Sequence, residues 1–412
     1  MKILLIHNTY QHPGGEDTVV AAETALLRER GHHVVTYLRS NHELDQLSRS
    51  RQLLLVKDIV YSEHSKRDIR ELLKKEEPDL VHVHNTFMMI SPSIYDACRG
   101  LGVPVVQTLH NFRLLCPGWT LSRNGEVCEE CIDHGLWRSI LHGCYRDSHL
   151  MSAAVALMLQ AHRYYGTWDC GIDGYIALSH FARRKFIQGG LPPTKLHVKP
   201  NFVFPDPGER EMPGRYAVFV GRLSQEKGVA TLVAAWRKLH SPIPLVLVGE
   251  GPLRRSLEAE VAARNLTNVS FKGWLSREAT RTAIKNAAFT ILPSICYEGF
   301  GMSIIESFAC GTPVLCSGLG GMQEIVDNYR TGLHFSPGNP DELASRVEWA
   351  WAHRSRVAAM GKDARREYET SYTAGRNYDL LMQIYRAAIR ARGGRATLPV
   401  SPYQAPTREV PA

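Results

Sequence analysis

Residues 293–306 read Pro293-Ser294-Ile295-Cys296-Tyr297-Glu298-Gly299-Phe300-Gly301-Met302-Ser303-Ile304-Ile305-Glu306. They follow a short apolar run, Ala288–Leu292, which the pattern predicts as a buried strand. Ser303–Ala309 then reads as a helix ended by Gly311 and Pro313. A strand, a glycine turn and a helix start present free N–H groups to an anion. Gly299 and Gly301 let a backbone approach closely. Glu298 stands at the mouth of the turn and Glu306 lies eight positions on. Carboxylates repel phosphates, so both suit the hydroxyls of a sugar better. Taken alone, the stretch also fits a surface glutamate beside a capping turn.

Working outward, Gly221-Arg222-Leu223-Ser224-Gln225-Glu226-Lys227-Gly228 follows the predicted strand Tyr216–Val220. Arg222 supplies a fork of donors and Lys227 a point charge, a set suited to a pyrophosphate leaving group. Strands at Pro244–Val248, Val269–Phe271 and Val314–Cys316 alternate with helices at Thr231–Leu239, Leu253–Asn265 and Arg277–Asn286. The same alternation occupies the first half, with strands at Lys2–His7, Val34–Leu38, Leu80–His84, Val103–Leu109, Gly174–Leu178 and Lys195–Lys199. It predicts α/β architecture with two Rossmann-like, doubly wound parallel sheets in series, facing a central cleft. Pro200–Pro213 carries four prolines and reads as the linker. The expected units are an N-terminal domain over 1–205, a C-terminal domain over 206–375, a terminal helix over 376–392 able to cross back, and a disordered tail over 393–412. Asp341–Trp351 and Val357–Tyr385 read as helical.

The Glu-x7-Glu segment, the Gly-Arg-Leu…Lys-Gly loop and Gly320-Gly321…Glu324-Ile325-Val326 together resemble the GT-B-fold retaining glycosyltransferases of family 4 (glycosyl transferases group 1). The resemblance implies a UDP- or GDP-linked sugar donor held mostly by the second domain, and a glycan or lipid-linked acceptor on the first. It implies a role in cell-surface polysaccharide biosynthesis, front-face substitution with retention, and no metal required for catalysis. The lack of any Asp-x-Asp agrees with that. By the same resemblance, Arg222 and Lys227 would hold the pyrophosphate, Glu306 the ribose and Glu298 the transferred sugar. The N–H groups of Phe300, Gly301, Met302 and Ser303, beside Gly299, would contact phosphate or sugar. Gly249, Gly251, Trp274 and Leu275 would border the base. Gly14 and Gly15, after the first strand, would approach the phosphates. His110, at the end of Val103–Leu109, would position the sugar and share charge in the transition state. His82 and His84 read as packing or cleft-lining residues. A sugar-nucleotide epimerase or a phosphorylase is the alternative on the same scaffold.

Cys116, Cys128, Cys131 and Cys144 have the spacing Cys-x11-Cys-x2-Cys-x12-Cys within a Gly-, Trp- and charge-rich insertion, 116–146. The spacing suits a structural Zn2+; four unrelated thiols, or a redox or iron–sulfur site, stay open. Most members of the family lack this cluster. The net charge is +8, but five arginines and one acid lie from Arg386 onward, so half of the excess is terminal. A nucleic-acid-binding fold would carry that charge on its body, and none is expected here. The longest apolar stretch, Leu150–Leu159, is half of what a membrane span needs. The apolar part of Met1–His7 is too short for a signal peptide. A cytoplasmic protein with reduced thiols is expected, with peripheral contact at the inner face of the plasma membrane as an option. Asp147–Trp168 suits that contact or, preferably, burial as a core or interdomain helix.

Overall fold

The computed structural model describes residues 1–11, 14–46 and 57–393. Two six-stranded parallel sheets dominate it. The first comprises β1 (Lys2–Thr9), β2 (His33–Ser40), β3 (Leu80–Asn85), β4 (Val105–Leu109), β7 (Gly174–Ala177) and β8 (Leu196–Val198), in the order 2-1-3-4-7-8. The antiparallel pair β5 (Ser122–Arg123) and β6 (Glu126–Val127) belongs to the insertion. The second sheet comprises β9 (Tyr216–Val220), β10 (Leu245–Val248), β11 (Val269–Gly273), β12 (Ala287–Leu292), β13 (Val314–Ser317) and β14 (Gly332–Phe335), in the order 11-10-9-12-13-14. Helices cover both faces, so the central strands are largely apolar: Ile3, Leu4, Leu5 and Ile6 of β1 are all fully buried, although β3 also buries His82, His84 and Asn85.

Strand order explains where a ligand can sit. In the second sheet the chain runs outward from β9 in one direction and from β12 in the other. The loops after these adjacent strands therefore part to opposite sides and leave a crevice at their carboxyl ends. Those loops are the Arg222–Lys227 turn and the Pro293–Gly301 segment. The first sheet reverses between β1 and β3, which places the glycine pair and His84 at its own crevice.

The expected helix over Val357–Tyr385 is two helices, Arg354–Ser371 and Ala374–Ala391. The break at Tyr372–Thr373 is where the chain crosses between domains. Thr373 caps the second helix by accepting from the Arg376 N–H at 3.3 Å. That helix buries Leu381, Ile384, Tyr385 and Ala388 in a cluster with Ile3, Leu5, Val106 and Ile176 of the first sheet. Arg392 pairs with Asp173 at 2.9 Å. The Pro200–Pro213 segment is less open than its composition suggests. Phe202 and Val203 are buried, the Val203 N–H donates to the Tyr372 carbonyl, and Arg365 grips Asp206 at 2.8 Å. The tail from residue 394 lies outside the described residues.

The segment expected as a core helix spans His149–Tyr164 and is only half core. Val155, Met158, Leu159 and His162 face inward, whereas Leu150 is 71% exposed and Leu157 and Tyr164 share its outward side. Within the insertion, short helices at Glu130–Asp133 and Trp137–Leu141 follow the β5–β6 hairpin. No helix among the described residues is long and apolar enough to cross a membrane.

Candidate active site

The second-domain half of the site begins with a backbone constraint. Gly228 adopts φ +66°, and a Cβ there would sit 1.8 Å from the Pro293 carbonyl oxygen. The Ile295 N–H donates to the Glu226 carbonyl at 3.0 Å. The two loops are thereby locked together, and Lys227 meets Glu298. Its Nζ lies 2.7 and 2.8 Å from the two carboxylate oxygens. Ser294 Oγ donates to the same carboxylate. Burial alone would lift the Glu298 carboxyl, but the Lys227 charge and these hydrogen bonds outweigh it and leave it below the usual range. Burial would lower the Lys227 ammonium, and Glu298 reverses that, raising it. The expected phosphate ligand and the expected sugar ligand thus hold each other. Arg222 is exposed, and its guanidinium has no hydrogen bond or ion pair among the described residues.

Gly301, at φ +79°, starts the helix Met302–Ala309 without a side-chain cap, so its first N–H groups are not used by a capping side chain. Phe300 turns its ring into the core, edge-on to Tyr372 at 6.1 Å, so only its backbone is available to a ligand. Glu306 is half-buried, and burial raises its carboxyl despite Arg281 and Arg277 nearby. Sequence reading missed those arginines. Nε and Nη2 of Arg277 and Nε of Arg281 are buried without hydrogen-bond partners among the described residues. Three unpaired N–H donors beside a glutamate expected to face the ribose form a ready polar subsite. Gly249 and Gly251 abut the backbone of Gly221 and Leu223, so their lack of a side chain serves loop packing. Trp274 is 74% exposed, and Leu275 beside it is half-buried.

The first domain closes the other side. A Cβ on Gly299 would lie 2.2 Å from the His110 carbonyl oxygen, so the donor loop rests directly on the end of β4. Gly15 faces Met302 in the same way, its Cβ position 3.3 Å from Met302 Cγ. Thus His110, Gly15, Gly299 and Met302 converge. Gly14 N–H is spent on Asp17 Oδ2 at 2.8 Å, a local cap. Burial lifts the neighbouring Glu16 carboxyl to about 8, with Tyr10 donating to it at 3.1 Å. A carboxyl that stays protonated at neutral pH does not repel a diphosphate. His12 and Pro13 lie outside the described residues. Across the cleft, Glu324 accepts from the His180 and Phe181 N–H groups at 2.7 and 2.6 Å, capping a first-domain helix from the second domain. Tyr297 donates to Glu129 of the insertion at 2.9 Å, and Lys185 does so at 2.7 Å. Neither tie was legible beforehand. His84 is buried on the wall of a pocket that it shares with His110, and its Nδ1 lies 2.9 Å from His110 Nε2.

All four cysteines of the insertion are free thiols. A hydrogen bond with Cys131 draws the Cys116 thiol below its usual range. Gly118 packs on Cys116 Sγ and Cys144. Among the described residues, the three-residue group with ligand atoms within 4.8 Å of one another is Glu23, His82 and His84, and the thiols form no such group.

Two sequence profiles match the chain. "Glycosyltransferase Family 4" matches residues 13–206 and "Glycosyl transferases group 1" residues 204–367. The D-rhamnosyltransferase WbpZ of Pseudomonas aeruginosa is 32% identical over 162 residues, 39% of this chain and 42% of that one. The chain spans under half the length of this and other curated relatives that match it. The 2-deoxystreptamine N-acetyl-D-glucosaminyltransferase of Niallia circulans is 27% identical over 320 residues, 76% of this chain and 77% of that one. Among solved structures, Anabaena HepE in complex with UDP superposes with a TM-score of 0.66 at 18% identity, covering 94% of this chain and 100% of that one. At that identity the superposition speaks for the fold alone. Two profiles that meet at the linker, on two facing parallel-sheet domains with a shared crevice, show that the chain belongs to the GT-B glycosyltransferases of the family 4 type.

Proposed function

We propose that the protein transfers a sugar, with retention, from a UDP- or GDP-linked donor to a glycan or lipid-linked acceptor, without a catalytic metal. One observation carries this reading: the Lys227–Glu298 pair and the exposed Arg222 stand at the switch point of the second sheet, with His110 and Gly15 pressed against the same loop. Arg222 and Lys227 are suited to neutralise the departing diphosphate. Donor binding would draw Lys227 onto phosphate and free Glu298 for a sugar hydroxyl. The leaving phosphate can accept the acceptor's proton, so the chain's part is orientation and electrostatic stabilisation. UDP-bound HepE and the named hexosyl transferases support a nucleotide-sugar donor. Incubation with a panel of UDP- and GDP-sugars, scoring free nucleotide and the product's anomeric configuration, tests it. Product of inverted configuration, or turnover that stops when a chelator is added, defeats the retaining, metal-free form. Sugar phosphate released from glycan and inorganic phosphate would mark a phosphorylase instead.

A lipid-linked acceptor in cell-surface polysaccharide synthesis, reached from the cytoplasmic side, is supported by the outward face Leu150, Leu157, Tyr164 and Tyr165. Flotation with anionic vesicles tests this, and protein left at the bottom of the gradient rejects it. We also propose that Cys116, Cys128, Cys131 and Cys144 hold a structural Zn2+. The sulfurs would have to draw together, since Zn–S bonds of about 2.3 Å put tetrahedral neighbours under 4 Å apart. Less than about a tenth of an equivalent of zinc in purified protein rejects this.

A further inference from the structure

Behind His110 lies a set of buried polar side chains that donor chemistry does not use. Glu23 comes from the helix Gly15–Glu29, His82 and His84 from β3, Lys199 from the residue after β8, and Tyr385 from the terminal helix. Glu23 and Lys199 are each 1% exposed or less and pair at 3.0 Å. His82 Nδ1 lies 3.0 Å from Glu23 Oε1 and 2.7 Å from the Tyr385 hydroxyl, and its Nε2 lies 2.8 Å from Thr108 Oγ1. His84 Nε2 lies 3.4 Å from the same Glu23 oxygen. The His84 and His110 rings stack with centroids 5.2 Å apart. Glu23, His82 and His84 have the outline of a cation site. The Lys199 ammonium already occupies the cationic place beside that carboxylate, and Tyr385 shares the His82 nitrogen.

We propose that Glu23 is a positioning residue which, through His84, fixes His110 as the Nε2–H tautomer and leaves its Nδ1 as the nitrogen open to a ligand. A neutral imidazole carries one proton. The carboxylate, 3.4 Å away though outside hydrogen-bond geometry, electrostatically favours the His84 proton on Nε2, the nitrogen facing it. His84 Nδ1 is then a bare acceptor, and the 2.9 Å contact requires His110 Nε2 to donate. Burial first, and then the neighbouring His84, hold the His110 imidazole well below its usual pKa, so it stays neutral. His110 Nδ1 has no protein partner among the described residues. It can accept a hydrogen bond from a sugar hydroxyl and cannot donate one. This rests on the reading that His110 lies beside the transferred sugar.

The test is 15N NMR of the histidine side chains in the whole, ligand-free protein at neutral pH, with His110 assigned by comparison with His110→Gln. A protonated Nε2 and a bare Nδ1 are expected. The double variant Glu23→Leu/Lys199→Met removes both buried charges together, leaving no orphan. It should show a mixture of His110 tautomers and a kcat lower by about 10- to 100-fold, the scale seen when an orienting partner is lost. Glu23→Gln/Lys199→Met keeps a carbonyl that can accept from His84 and should restore both signals. A His110 Nδ1–H in the parent protein overturns the proposal, as does an unchanged tautomer in the Leu/Met variant. If that variant does not fold, the parent spectrum decides alone. The spectrum needs no turnover, so failure to find a donor leaves this result standing.

Discussion

Lys227 and Glu298 neutralise one another at the mouth of the cleft, and that pairing decides how each responds to change. Truncating Lys227 or Arg222 to Ala should cost about 2–4 kcal/mol of transition-state stabilisation, by analogy with loss of one oxyanion donor. That is a fall of about 30- to 1,000-fold in kcat/KM with the working donor. Parent-like kinetics in the double variant would remove both residues from the reaction. The partner left behind by Lys227→Ala has a further signature. Burial, its largest influence, would then be nearly unopposed, so Glu298 should titrate above the usual carboxylate range of about 4.3. Glu16 behaves in the opposite way to a paired carboxylate. Its native pKa of about 8 lies above the unfolded value, so between the two the native state binds more protons. Stability should therefore fall as pH rises from about 4.5 to 8, with a slope approaching 1.4 kcal/mol per pH unit. Glu16→Gln should flatten that slope, as read from urea midpoints across the range; an unchanged slope would place the titration elsewhere.

At the level of elements, each loop was legible where its meaning is local. The Pro293–Glu306 segment reads as strand, turn and helix because glycine spacing and apolar runs act within a few residues, and the structure has that order. The break at Tyr372–Thr373 falls a few residues before the terminal helix expected from 376 and inside the run Val357–Tyr385 expected as helical; Thr370-Ser371-Tyr372-Thr373-Ala374-Gly375 is poor in helix formers, and Thr373 is a capping residue. The terminal helix shows what such an element contributes. Leu381 is fully buried against the first sheet, and Leu381→Ala should destabilise by about 2–5 kcal/mol. A shift under about 1 kcal/mol in urea unfolding would show that the helix is not held there.

The whole molecule is more than two domains on a tether. Its second apolar cluster runs from Ile3, Val106 and Ile176 of the first sheet through Leu381 and Tyr385 to Phe300, Ile304 and Phe308 of the donor half. A fragment of residues 1–205 would expose that face and should lack the dispersed amide spectrum of a packed protein. A well-dispersed, soluble fragment would show that the first domain folds alone. The parent protein should unfold in one transition, and a saturating donor at about 100 times its Kd should add about 2.7 kcal/mol.

From the residues alone came the α/β alternation, the two sheets, and the loops after β4, β9 and β12 that carry His110, Arg222, Lys227 and Glu298. Those follow from periodicity and glycine placement, which are encoded over short stretches. Tertiary structure alone decided that Lys227 bonds Glu298, that Arg277 and Arg281 flank Glu306, that Glu129 reaches Tyr297, and that His82, whose sequence context fits packing or cleft lining, meets Tyr385 from 303 positions away. Such pairings depend on how sheets order their strands and how a last helix returns across the first domain. No local pattern encodes which distant side chains then share a buried space.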